Sequence, residues 1–140
     1  MAVLPQLWYH GAGLRPGKRK LVRIGAMRTD YPSVIGQTVK GVIDRPLGSA
    51  HPRHPEMIYP LNYGYVKGVF AEDGAEQDVY ILGTDQPLRE FEGKVIAVYR
   101  RFDDVEDKWI VSLDGKDYPD GVILEAIHFQ EQYFHGELLR

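Results

Sequence analysis

The residues of this chain best suited to chemistry lie between Tyr59 and Leu82, in the stretch YPLNYGYVKGVFAEDGAEQDVYIL. Asp73 and Asp78 flank the turn at Gly74, between an aromatic-rich strand and a second apolar strand. Two hard carboxylate oxygens held by a tight turn beside a sheet make a seat for Mg²⁺. That ion usually keeps several waters and shares itself with a substrate phosphate instead of taking a full protein cage. The pattern therefore points to phosphate chemistry. Alone, Asp73-Gly74 is more often turn punctuation, because Asp favours turns through local hydrogen bonds. A second acidic cluster adds weight: Asp103, Asp104, Glu106 and Asp107, followed by Lys108. The bland alternative for that run is a solvated charged loop.

Hydrolysis of a phosphoanhydride needs its charge neutralised and a water activated, and metal ions can do both. Such a site needs carboxylates for metal and Lys, Arg and Tyr for the phosphates. The chain offers Lys40, Arg45, Arg53 and Lys108 as cations and Tyr59, Tyr63 and Tyr133 as hydroxyl donors. Carboxylates at two strand ends can converge at one rim of a barrel.

The positioning elements are mostly strands. Thr38–Ile43 alternates and ends at the turn Pro46-Leu47-Gly48. His51-Pro52-Arg53-His54-Pro55 cannot be helical, because proline restricts itself and its predecessor. Met57–Val66, Asp78–Leu82, Lys94–Tyr99 and Lys108–Ser112 read as further strands. Pro119 and Asp120 open a helix whose stripe runs through Val122, Ala126, Phe129 and Tyr133, widened by Ile123 and Ile127, with Gly136 as the stop. The expected fold is α+β, mainly β: a five-stranded, closed or partly closed barrel followed by a C-terminal helix.

The 140 residues suit one domain, with 44% hydrophobic content and a net charge of −3. A weakly acidic chain argues against a general nucleic-acid binder. There is no cysteine, which removes disulfides and thiolate metal sites and fits a reducing cytoplasm. No apolar run approaches the ~20 residues needed to span a bilayer. Residues 1–29 read as a loosely attached extension, with the barrel domain over 30–140. The basic run Lys18-Arg19-Lys20 follows the apolar pieces, the reverse of a secretory signal. A mitochondrial presequence fits weakly, since Ser is absent, and Met27 is a candidate start.

The stretch Tyr59–Leu82 resembles the signature region of soluble type-I inorganic pyrophosphatases, in which Tyr-Pro-x-x-Tyr-Gly leads to Asp-Gly-Asp-Pro-x-Asp and then Val-Leu-Val. AVYRRFDDVEDKWIVS is similar to their second acidic segment, and IHFQEQYFHGEL to their C-terminal helix. The likeness runs in order from about Val39 to Tyr133, as in a shortened, divergent member. It implies a five-stranded OB-like barrel, a small-molecule diphosphate substrate and Mg²⁺. It leaves room for a homo-oligomer and gives no role to nucleic acid or membrane. Residue by residue, it implies metal binding at Asp73, Asp78, Asp103 and Glu106 (or Asp107). It implies phosphate contacts at Tyr63, Lys108 and Tyr133, with Lys40 matching a lysine of the first strand. The arginine is Arg45 or Arg53.

The departures fall on the family's chemistry. Ala75 stands where the family has the aspartate that helps activate water, and Glu76 follows as the substitute. Phe134 replaces a phosphate-contacting lysine, and Val42 a glutamate. The expected function is Mg²⁺-dependent hydrolysis of pyrophosphate, with Asp78 and Glu76 as catalytic groups. The alternatives are an impaired phosphate- or metal-binding module and a hydrolase of another diphosphate. An OB-like single-strand binder using exposed aromatics is a third reading, opposed by the acidic balance. The loop Ile43–Ser49 with His51 and His54 has no counterpart in the family pattern. It reads as a proline-stiffened loop or as a specificity element.

Overall fold

Alternating apolar positions rich in β-branched and aromatic residues generate β1 (Thr38–Arg45), β2 (Asn62–Phe70), β3 (Glu76–Leu82), β4 (Glu90–Arg101) and β5 (Asp107–Ser112), then α1 (Asp120–Glu131) and β6 (Gly136–Leu139). This computed structural model describes residues 33–103 and 106–140. The expected extension over 1–29, the candidate start Met27 and the acidic residue Asp104 lie outside the described residues.

β1, β2 and β3 form an antiparallel meander, β3 pairs parallel with β5, β5 antiparallel with β4, and β4 antiparallel with β1. The five strands therefore close into a barrel, as the pattern predicts, with OB-like strand order. β4 is longer than its apolar centre suggests, because one edge serves two partners. Glu90–Lys94 pairs with β1 and Val98–Arg101 with β6. Gly136 begins β6 instead of stopping the helix, which ends at Glu131. A side chain at Gly136 would collide with the Arg100 carbonyl.

Two apolar clusters sit on opposite faces of the barrel wall. Ile43, Val66, Val79, Ile81, Phe91, Val95 and Val111 fill the interior. Tyr59, Tyr63, Tyr80, Ile96, Tyr99 and Ile110 line the outer face, where Ile123 and Ile127 of α1 cover them. The helix buries Ile123, Ile127, Gln130 and Glu131, while Val122 is exposed. The stripe is thus rotated from the apolar one read in the sequence, because two polar residues find buried partners.

Two β-bulges aim side chains at this outer face. One irregularity between Ile43 and Arg45 puts Arg45 opposite Tyr63. Another between Val95 and Ala97 puts Ala97 opposite Ile110 and Tyr99 opposite Lys108. An extra residue flips everything beyond it to the other face, so the second bulge carries Tyr99 and Arg101 outward. At the β1–β2 crossing the backbones approach so closely that a Cβ on Gly41 would lie 2.0 Å from the Tyr65 carbonyl oxygen, and one on Gly64 2.0 Å from that of Val42. Among the described residues no helix is long and apolar enough to cross a membrane.

Candidate functional site

Parallel pairing of β3 with β5 brings the start of both strands to one end of the barrel, so the turn carrying Asp73 and Asp78 meets the acidic segment before Lys108. Across the outer face, Arg45, Tyr63, Tyr80 and Ile110 stand side by side on β1, β2, β3 and β5. The neighbouring row runs Val42, Tyr65 and Asp78, with Lys108 beside Tyr99 on the far strands.

The centre is Lys108, 2% exposed. Its ammonium donates to Asp78 Oδ2 at 2.7 Å, Glu106 Oε1 at 2.6 Å and the Tyr63 hydroxyl at 2.9 Å. An ammonium has three protons, and all three are satisfied. Burial pushes its pKa down, but Asp78, then Glu106 and Tyr63 outweigh burial and hold it well above the ordinary lysine value. Burial, then the Asp78 charge, raises the Tyr63 phenol, which stays protonated.

A second ion pair lies beside it. Arg101 donates through Nε and Nη2 to the two Glu131 oxygens at 2.9 and 2.8 Å, and its Nη1 lies 3.7 Å from Glu106. Burial opposes this charge too, but Glu131 first and Glu106 next raise the Arg101 pKa well above its ordinary value. The Tyr80 hydroxyl donates to Glu131 Oε2 at 2.6 Å and accepts from Gln130 Nε2 at 2.6 Å. Arg45 donates to the Tyr59 hydroxyl at 2.7 Å, and Tyr59 donates to Gln130 Oε1 at 3.2 Å. One polar chain thus runs from Arg45 under the helix to Glu131 and Arg101, and on to Lys108. Asp78, Glu106 and Glu131 balance Lys108, Arg101 and Arg45, which is the condition for keeping such charges out of water.

Of the residues expected from sequence, Asp78, Glu106, Lys108 and Tyr63 are in direct contact, and Arg45 joins them through Tyr59. Asp73 is buried at the turn, where its Oδ1 accepts the Ala75 N–H at 3.0 Å. Ala75 is itself buried. Glu76 is half-buried on the same strand face as Asp78 by alternation, and its Oε2 accepts the Gly68 N–H at 3.1 Å. Asp103 lies apart, accepting the His135 backbone N–H at 3.2 Å, with its other oxygen 3.2 Å from His135 Nδ1. Asp107 gives its carbonyl to Gln77. Lys40 lies opposite Glu92 and lines a separate open cleft of about 740 Å³ with Lys67, Glu90 and Glu92. Arg53 is exposed, and Tyr133 is half-buried just beyond α1.

The structure adds Tyr80, Arg101, Gln130 and Glu131, which the sequence reading passed over. Tyr80, two residues beyond Asp78 on its face, was within reach of an alternation argument. Arg101 was not, because a bulge decides its direction. Phe134 now has a physical reason: its ring lies 3.7 Å from the Arg101 guanidinium, a cation–π contact where a lysine would face like charge.

The loop after β1 closes on itself. Gly48 donates to the Tyr59 carbonyl, Tyr59 to Ser49 and His51 to Met57, and Ala50 bridges Ile58. His51 is buried, its Nδ1 accepts the Arg53 N–H at 3.0 Å, and its ring stacks against Tyr59 at 6.2 Å. Burial, then Arg45 and His54, lower its pKa to about 4. His51 is therefore a neutral prop behind Tyr59, within a proline-stiffened loop.

Among the described residues no group of three His, Asp or Glu side chains converges as a ready-made metal centre. Asp78 and Glu106 nevertheless hold one cation between them, and that cation is the Lys108 ammonium. Two carboxylates suit Mg²⁺, which commonly takes one or two and completes its shell with phosphate and water. Asp78 and Glu106 are donors of the kind that ion takes.

No protein-family model matches this chain. An inorganic pyrophosphatase of Saccharolobus solfataricus is 29% identical over 96 residues, which cover 57% of this chain and 56% of that protein. The chain thus spans little more than half the length of that curated relative. A crystal structure of an inorganic pyrophosphatase from Neisseria gonorrhoeae superposes with a TM-score of 0.55 at 23% identity, covering 74% of this chain and 81% of that one. One from Ehrlichia chaffeensis gives 0.59 at 18% identity, covering 77% and 90%. At these identities the structural likeness speaks for the fold. The chain is thus similar in sequence to one inorganic pyrophosphatase and similar in fold to others.

Proposed function

We propose that this pyrophosphatase-like chain hydrolyses inorganic pyrophosphate with Mg²⁺. The observation that carries the reading is the buried Asp78–Lys108–Glu106 unit beside Tyr63. It gathers carboxylates, a cation and a phenol on one face of a barrel whose relatives are pyrophosphatases. In the reaction one water adds to a phosphorus, the bridging P–O bond breaks, and two phosphates leave. Lys108 and Arg45 supply positive charge to the phosphoryl oxygens, and Tyr63 and Tyr133 supply hydroxyl donors. Glu76, half-buried on the face of Asp78, takes the proton of the attacking water in place of the aspartate absent at Ala75. Asp78 and Glu106, with Asp73 of the turn, would hold Mg²⁺, which when bound neutralises phosphoryl charge and acidifies water. The absence of cysteine suits a reducing cytoplasm.

The test is phosphate release from pyrophosphate, with Mg²⁺ and with chelator, by the wild type and Asp78→Asn. The expected result is metal-dependent turnover that falls about 10²-fold or more in the variant, with circular dichroism confirming that both fold. A second reading has its own support in Ala75: a module that binds diphosphate without turnover. Saturable pyrophosphate binding with no phosphate released above the metal-free blank would select it.

A further inference from the structure

We infer that the open cleft beside β1 receives a sugar-like, hydroxyl-bearing group, so that the chain also cleaves diphosphate monoesters such as nucleoside diphosphates. This rests on the diphosphate reading above and extends it to a substrate class.

The cleft and the Asp78 face share a wall. Ile43, Val66 and Phe91 point into the barrel, so by alternation Lys40, Val42, Lys67, Glu90 and Glu92 stand on its outer face. All of these line the cleft. Val42 is in register with Tyr65, and Tyr65 with Asp78. Lys40 and Lys67 lie two residues farther along β1 and β2, about 7 Å from that row. A group esterified to a diphosphate on the Asp78 face has the cleft as its nearest recess on β1 and β2.

The size and charge of the cleft say what fits. Its volume of about 740 Å³ is in the range of small-molecule sites, and inorganic pyrophosphate has no further atoms to place there. Lys40 faces Glu92 and Val42 faces Glu90 across β1 and β4, with Lys67 on the other side of β1. Two ammonium groups and two carboxylates balance. A further anionic group would meet Glu90 and Glu92, and a cationic one would meet Lys40 and Lys67. A neutral hydroxyl both donates and accepts. The neighbouring hydroxyls of a pentose therefore suit both signs, donating to the carboxylates and accepting from the ammonium groups, with Val42 against the carbon ring. In the reaction the water oxygen bonds to the terminal phosphorus and the bridging P–O bond breaks. Its electron pair stays on the oxygen of the departing phosphate monoester. One proton of the water remains on the new phosphate, and the other passes through the general base to solvent.

The test is phosphate release with Mg²⁺ from pyrophosphate, uridine diphosphate and 2′,3′-dideoxyuridine diphosphate, by the wild type, Lys67→Ala and Glu92→Ala. The wild type should convert uridine diphosphate to uridine monophosphate and phosphate, and favour it over the dideoxy form by about tenfold in kcat/KM. Each variant should remove most of that preference and leave pyrophosphate turnover within about twofold of the wild type. Lys67 and Glu92 are exposed, and the comparison of substrates needs no variant. Pyrophosphate turnover without uridine diphosphate turnover, or with the ribose and dideoxy forms cleaved alike, would overturn the inference and leave the diphosphate reading standing. So would a preference that survives both variants, or variants that slow all three substrates equally. No phosphate from any of the three, from folded protein, would overturn both.

Discussion

Replacing Glu131 by Gln removes one charge from the most enclosed part of the polar chain while keeping the side chain's shape. Glu131 accepts three hydrogen bonds, two from Arg101 at 2.9 and 2.8 Å and one from Tyr80 at 2.6 Å. A glutamine keeps one acceptor oxygen and turns an NH₂ group toward donors. Arg101 then stays buried but loses its paired hydrogen bonds to a carboxylate. Breaking one side of a buried pair costs about 3–5 kcal/mol. Against a total stability of roughly 5–15 kcal/mol, that is a large share, and it lowers Tm by about 10 °C or more. The assay is urea unfolding followed by circular dichroism, for Glu131→Gln and for the cycle Arg101→Met, Glu131→Leu and Arg101→Met/Glu131→Leu. The double variant should cost much less than the sum of the singles, because it removes both charges together. A cost below about 1 kcal/mol for Glu131→Gln, or additive costs in the double variant, would refute the reading of Arg101 and Glu131 as a coupled buried pair.

Gly41→Ala and Gly64→Ala should each lose about 3 kcal/mol or more, or fail to fold, because the added Cβ would lie 2.0 Å from a backbone oxygen of the facing strand; a melting curve like the wild type's would contradict the strand crossing. Stability should fall as pH drops from about 6.5 to about 4, because the unfolded chain takes up a proton that folded His51 refuses. His51→Gln should flatten that segment of the urea-stability curve against pH, and an unchanged slope would remove His51 as its source. Glu76→Gln keeps an acceptor for the Gly68 N–H but loses the base, so kcat for pyrophosphate should fall about 10²-fold with little change in KM. A fall of less than about threefold would take the proton-accepting role from Glu76.

The five-stranded barrel with its C-terminal helix was legible because the strands are short, β-prone apolar runs bounded by turn residues. What the sequence hid was direction. Arg45 and Arg53 were equal candidates until the bulge at Asp44 turned Arg45 toward Tyr63. Arg101 was invisible because the irregularity at Ile96 decides which way it faces. Gln130 and Glu131 were read past because a helix stripe is drawn through apolar residues, and these two are buried only through Tyr59, Tyr80 and Arg101. Asp103 shows the converse limit. Its place in an acidic run suggested the cluster, but the run leaves β4 before reaching β5, and β6 brings His135 to it instead.

The most direct test is ³¹P NMR of pyrophosphate incubated with the wild-type protein and Mg²⁺ in ¹⁸O-labelled water. The account predicts that the pyrophosphate signal gives way to phosphate, with one labelled oxygen entering for each pair of phosphates formed. An undiminished pyrophosphate signal, from protein that is folded and binds imidodiphosphate, would contradict it.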